Sequence, residues 1–134
     1  MKTGKRPWLI PLAVALGSGC GGVARLEVSQ AMLMLFGTHF PFGVLTVNIA
    51  GSFLIGLLAI LTAPRARSVV GPATREFLLA GFCGGFTTFS FFSLQTMLLL
   101  QAGRVGAAAA YSGATLFLGL AAVWLGHVIA RRFS

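Results

Sequence analysis

The sequence predicts an all-α membrane protein with four crossing helices, the third of them broken in mid-membrane. Of its 134 residues, 57% are hydrophobic and only 9% charged, and the mean hydropathy is +0.91, a membrane composition. An apolar bilayer core takes roughly 20 helical residues to cross, and the chain offers four apolar stretches separated by short connections. The third stretch carries Gly84-Gly85 followed by Thr87-Thr88. Glycine in a helix interior costs about 1 kcal/mol relative to alanine, and threonine hydroxyls divert backbone hydrogen bonds, so a break is expected there.

The first apolar stretch runs from Trp8 to Val23 and, carried through RLEVSQAMLMLF, gives a helix over 8–36. Its start, MKTGKRPWLIPLAVALGSGC, also has the basic residues, apolar centre and small residues before cysteine of a lipoprotein signal. Against that reading, Gly17 stands where such a cleavage box usually has Leu, and three apolar stretches follow with no soluble domain to anchor. Pro41 ends the region, because the residue before a proline is pushed out of the helical conformation. The second helix covers 42–63 and stops at APRARSVVGPATRE, whose prolines, glycine and arginines mark a loop. The third covers 75–101, QAGRVG makes a tight turn, and the fourth covers 105–132. Residues 1–134 read as one membrane-embedded unit.

Basic residues outnumber acidic ones by enough to give a net charge of +8, yet they sit at the ends of apolar stretches. They read as membrane anchors and topology signals, since a nucleic-acid face needs clustered Lys and Arg on a soluble fold. Lys2, Lys5, Arg6, Arg65, Arg67, Arg75, Arg131 and Arg132 fall on one side and Arg25 and Arg104 on the other. The positive-inside rule then puts both termini in the cytoplasm.

Enzyme chemistry has little to work with. The only acidic residues are Glu27 and Glu76, both near segment ends, and there is no Asp. Paired carboxylates for proton relay or divalent metal, and Ser-His-Asp catalysis, are thereby excluded. His39 and His127 stand apart, and Cys20 and Cys83 lack metal-ligand spacing and read as small packed residues. Transport or structure remains.

Uncharged polar residues inside the spans are the informative ones, because an unpartnered polar group in lipid costs several kcal/mol. Asn48 and Ser52 share a face of the second helix in PFGVLTVNIAGSFLIG. Asn48 offers both a donor and an acceptor, suited either to a permeation path or to interhelical packing beside Gly51 and Gly56. In the third stretch, carbonyls freed around Gly84 to Thr87 suit a small cation. The half-helix starting near Thr88 would turn its positive end toward an anion. Beyond it, Phe89 and Phe92 share a face and Ser90 and Ser93 a neighbouring one. Phenylalanine edges are weakly positive and suit an anion path that must not grip its ion, although phenylalanines at this spacing also serve simply as core. On the fourth helix, Tyr111, Ser112 and Thr115 can turn hydroxyls to one side, as pore lining or as small-residue packing.

Taken together, these residues resemble a known family. GFCGGFTTFSFFS, residues 81–93, is similar to the signature GF-x-GG-x-TTFS-x-FS of the Fluc, or CrcB, fluoride channels. GGVARL resembles their first-helix arginine motif, PFGVLTVNIAGSFLIG their second-helix asparagine motif, and LLQAGRVG their turn before the fourth helix. The resemblance implies a fluoride-specific channel of the bacterial inner membrane that passively exports cytoplasmic fluoride. It further implies an antiparallel dimer in the lipid bilayer, with a structural Na+ at the interface held by the backbone carbonyls of Gly84 and Thr87. The fluoride pathway would then run past Asn48, Phe89, Ser90, Phe92, Tyr111 and Thr115, with Arg25 in a vestibule. Phe91, Gln95 and Gly119 depart from the family pattern, which usually has a threonine-like residue, a glutamate and in some relatives a serine. The Lys/Arg bias is also strong for a chain that inserts both ways, so a heterodimer with an oppositely biased paralogue is the second arrangement implied. A small structural membrane protein is the alternative from another class.

Overall fold

The computed structural model describes residues 6–66 and 70–134. Lys2, Lys5 and Arg67, which enter the charge count above, lie outside the described residues. The chain forms α1 (Leu9–Phe36), α2 (Phe42–Leu61), α3 (72–86), α4 (Ser90–Gln101) and α5 (Val105–Arg131). Segments α3 and α4 together make one crossing, so four spans are long and apolar enough to traverse a bilayer. The third is interrupted between its halves. Large apolar side chains such as Leu16, Val23, Phe117, Leu120 and Trp124 point outward, which is how a helix bundle meets lipid.

Glycines decide which helices touch. A Cβ on Gly17 would lie 2.9 Å from the Gly81 Cα, and one on Gly85 2.8 Å from the Ser18 Cα, so α1 and α3 pack backbone against backbone. Likewise a Cβ on Gly56 would lie 3.1 Å from the Val123 Cα and one on Gly126 2.9 Å from the Leu57 amide nitrogen, which locks α2 to α5. Small residues permit the close approach that stabilises helix pairs where no hydrophobic drive exists between them. The ends are closed by local chemistry. Gly103, at φ 72°, ends α4: its N–H reaches the Leu100 carbonyl at 3.0 Å, and the Arg104 N–H reaches that of Leu99 at 2.9 Å, the Schellman pattern.

Two features correct the sequence reading. First, Phe77–Cys83 is wound as a π-helix between the α-helical turns Pro72–Glu76 and Gly84–Phe86. Phe77, Gly81, Phe82 and Phe86 all approach Gly17 or Gly21 of α1, and Phe77 with Phe82, like Gly81 with Phe86, are separated by the five-residue hydrogen-bond step of a π turn. The wider winding keeps one seam against α1. Second, the helix does not break at Gly84-Gly85. Both glycines stay helical, and the interruption covers Thr87 to Phe89, with Thr87 extended at φ −83°, ψ 163°. The second half begins at Ser90 rather than Thr88.

Arg25 is a third correction. It lies within α1, and its Nη1 donates to the Thr87 carbonyl at 3.4 Å, level with the break. It therefore sits at the depth of the break and not at a membrane face. Cys83 is packed as expected, whereas Cys20 is exposed on α1.

Candidate functional site at the helix break

The break is held open by Asn48. Its Nδ2 donates to the Thr88 carbonyl at 3.0 Å and its Oδ1 accepts the Thr88 N–H at 2.8 Å. One side-chain amide thus occupies both backbone groups of one residue, as a neighbouring strand would. In an unbroken helix the Thr88 N–H would belong to the Gly84 carbonyl. Its loss to Asn48 leaves Gly84 without that donor. Thr87 keeps its own N–H and hydroxyl on the Cys83 carbonyl, at 3.1 and 3.0 Å, and turns its carbonyl out of the helical ladder. Thr88 Oγ1 accepts the Phe91 N–H at 3.3 Å, capping the first turn of α4 as an N-terminal hydroxyl does.

A groove of ≈ 870 Å³ opens beside the break and gathers Asn48, Gly84, Thr87, Phe89, Phe92 and Thr115. Gly84 faces it directly: a Cβ there would meet nothing within 4 Å. The Phe89 and Phe92 rings stand 5.7 Å apart at 42°. Phe89 is 78% exposed, with Phe92 its one aromatic neighbour among the described residues. Ser112 and Gly119 also line the groove.

Other expected site residues are arranged differently. Ser90 is exposed and lies outside the groove. Tyr111 is fully buried, stacked behind Phe92 at 5.3 Å and edge-on to Phe40 at 5.8 Å. Its hydroxyl donates to Gln95 Oε1 at 3.1 Å. Thr115 faces the groove, but its hydroxyl proton is used on the Tyr111 carbonyl at 2.7 Å, so it presents lone pairs and not a donor. Arg25 reaches the break from the α1 side, and its guanidinium carbon sits 5.8 Å from the Phe91 ring centroid. That contact gives the unusual Phe91 a physical place, as a cation–π cover on the arginine.

Electrostatically the site has two characters. Carbonyls of Gly84 and Thr87 supply a hard, neutral oxygen surface, while the first N–H groups of α4 and the second Nδ2 hydrogen of Asn48 supply donors. Among the described residues no cluster of His, Cys, Asp or Glu could hold a metal. Any cation bound at the break would be held by backbone oxygen, which suits a hard ion and not a thiophilic one. Sequence reading placed Thr88 at the start of the second half-helix but missed that Asn48 clamps it, a contact between residues 40 apart that no local motif signals.

A family model described as CrcB-like protein, Camphor Resistance (CrcB), matches residues 12–127. The chain belongs to the CrcB family. A relative from Opitutus terrae named fluoride-specific ion channel FluC is 49% identical over 119 residues, 89% of this chain and 90% of its own length. Fluoride-specific ion channel FluC 1 of Rhodopseudomonas palustris is 46% identical over 121 residues, 90% of this chain and 86% of its own. A FluC from Coxiella burnetii is 45% identical over 121 residues, 90% and 97% of the two chains. Every residue of the groove lies inside the region that the CrcB model matches, and the four spans make this CrcB chain a multi-pass membrane protein.

Proposed function

We propose that this chain is a subunit of a fluoride channel that lets cytoplasmic fluoride leave down its own electrochemical gradient. The observation that carries the reading is the single groove in which Asn48, two phenylalanine rings and the carbonyls of an opened helix meet, in a chain whose relatives are named fluoride-specific channels. Ring edges and neutral donors attract a small anion without the grip of a fixed cation, and conduction needs that weakness. Fluoride enters acidified surroundings as neutral HF and is trapped on ionising, so a selective exit needs no energy source and no enzyme chemistry.

The Gly84 carbonyl, which has lost the Thr88 N–H, supports a structural Na+ at the break together with the Thr87 carbonyl, which Arg25 reaches at 3.4 Å and would have to share. One chain supplies only these two, and a sodium ion takes more oxygen ligands than that. A partner subunit in antiparallel orientation would complete the set and close the groove. We place the assembly in the bacterial inner membrane with both termini in the cytoplasm, on the Lys/Arg asymmetry. That same asymmetry favours a heterodimer with an oppositely inserting paralogue over a chain that inserts both ways.

Purified protein in liposomes tests the proposal. Wild type should release fluoride and not chloride, and Phe89→Ile and Phe92→Ile should each abolish release while the protein remains folded. Equal chloride flux, or wild-type flux in both variants, would overturn the mechanism. If the chain alone is silent, flux restored by co-reconstitution with the paralogue would favour the heterodimer, and silence in both cases would favour a structural role.

A further inference from the structure

Arg25 is a charge inside a membrane helix without a carboxylate to match it. It is half-buried in α1, and a charged side chain at such depth pairs with an opposite charge or with backbone carbonyls. Among the described residues the one ion pair is Arg75 with Glu76, so Arg25 takes the second course, and its Nη1 donates to the Thr87 carbonyl at 3.4 Å. Its guanidinium carbon also stands 5.8 Å from the Phe91 ring centroid. Neither contact neutralises the charge, which therefore acts on the break.

A carbonyl oxygen has two lone pairs, so the Thr87 oxygen can hold the Arg25 donor on one and a cation on the other. Sharing weakens the cation's hold, because two positive charges then meet across one atom. Charges so placed are about 6 Å apart, and at an effective dielectric of roughly 20 to 40 their repulsion lowers the affinity for a monovalent cation about ten- to a hundredfold. Phe91 acts the other way. A ring face attracts a guanidinium, and the Arg25 hydrogen bond is stretched to 3.4 Å against the roughly 2.7 to 3.2 Å usual for such a bond, as expected of a side chain held between an oxygen and a ring.

We propose that Arg25 sets the strength of the cation site at the break by competing with Na+ for the Thr87 carbonyl, and that Phe91 sets how hard it competes. The inference rests on the structural Na+ of the reading above. With no cation present, Arg25 occupies the Thr87 oxygen and supplies the partner that a carbonyl outside the helical ladder needs at membrane depth. When the cation binds, Arg25 retreats onto the Phe91 ring. Arg25 is thus a positioning residue for the subunit junction, and it raises the Na+ concentration at which the junction forms.

The test is the Na+ dependence of thermal unfolding and of subunit association in the purified protein, together with its partner subunit if the pair is a heterodimer, as Na+ replaces N-methylglucamine at constant ionic strength. Arg25→Gln should move the Na+ midpoint about ten- to a hundredfold lower, whereas Arg25→Lys, which keeps the charge, should stay near wild type. Phe91→Thr should move it about two- to fivefold higher, since the guanidinium loses its ring, and the double variant should follow Arg25→Gln. Phe91 is half exposed, so this variant keeps the fold and decides the matter even where Arg25→Gln does not fold. A midpoint that is unchanged or higher in Arg25→Gln overturns the inference, because Arg25 would then only brace the carbonyl. So does an unshifted midpoint in Phe91→Thr. A wild type indifferent to Na+ instead overturns the sodium reading beneath it.

Discussion

Replacing Asn48 by Ala tests whether one side chain holds the third span open. The substitution removes two hydrogen bonds to Thr88, of 3.0 and 2.8 Å, at a residue that is only 9% exposed. Interhelical hydrogen bonds inside membranes average about 0.6 kcal/mol each, which sets a floor of about 1 kcal/mol for the pair. Leaving both Thr88 backbone groups buried without partners would cost about 1 to 3 kcal/mol apiece, for a ceiling near 6 kcal/mol. Where the result falls within that window reports what the backbone does. A helix that heals returns the Thr88 N–H to the Gly84 carbonyl and sits near the floor; one that stays broken sits near the ceiling.

The assay is reversible unfolding in detergent together with amide exchange at Thr88. Asn48→Asp sharpens it, because a protonated carboxyl repeats the amide's pattern of one donor and one acceptor, whereas the carboxylate can only accept. With only an acceptor at that position the Thr88 carbonyl loses its donor, so Asn48→Asp at neutral pH should be less stable than wild type while still protecting the Thr88 N–H from exchange. An Asn48→Ala protein with wild-type stability, wild-type Thr88 exchange and wild-type flux would refute the claim that this amide opens the helix.

Gly85→Val should fail to assemble or unfold readily, because its side chain would enter the Ser18 backbone. Gly84→Ala should fold normally, with its methyl in open groove, as thermal unfolding of the two variants in parallel would measure. Tyr111→Phe should lose about 1 kcal/mol, the worth of its bond to Gln95, and a cycle with Gln95→Leu should be strongly non-additive. A topology reporter fused at Ser134 should report from the cytoplasmic side only; equal signal from both sides would contradict the charge asymmetry.

The four spans and their ends were legible in the sequence because each rests on a local signal: apolar length, Pro41, the Gly103 turn. That the third span breaks was legible too, from Gly84-Gly85 and Thr87-Thr88, but only the latter part of that stretch opens. Gly84-Gly85 looked like the weak point on propensity, yet Gly85 is there to let α3 touch Ser18, and helix packing overrides the cost of a glycine. Thr87 and Thr88 break instead because Asn48, 40 residues away from Thr88, outcompetes the helix for a hydrogen bond. No local pattern encodes that contest. The π-helical turn was hidden for the same reason, since its cause is the spacing of contacts on α1. Ser90 and Thr115 were chosen for having hydroxyls. A hydroxyl's use depends on where its proton goes, and the Thr115 proton goes back to its own helix.

The single chain presents half of a site, and that incompleteness is an argument about assembly. Phe89 exposes 78% of its surface beside carbonyls that have left their helix. Lipid would solvate the ring and leave the Gly84 carbonyl unsatisfied; water would solvate the carbonyl and leave the ring exposed. Neither solvent alone suits the face, and unsatisfied backbone at membrane depth survives only where protein or a wet cavity covers it. An oppositely inserted partner of the same fold would bring carbonyls of its own break against these, adding oxygens around a shared cation. It would also lay its groove over each exposed ring. The cation would then join the two subunits in part through the Gly84 carbonyl, which Asn48 has freed by taking the Thr88 N–H. On this argument Asn48→Ala should weaken association of the pair as well as the fold of each chain, and Na+ should lose its effect on that association in the variant while keeping it in wild type.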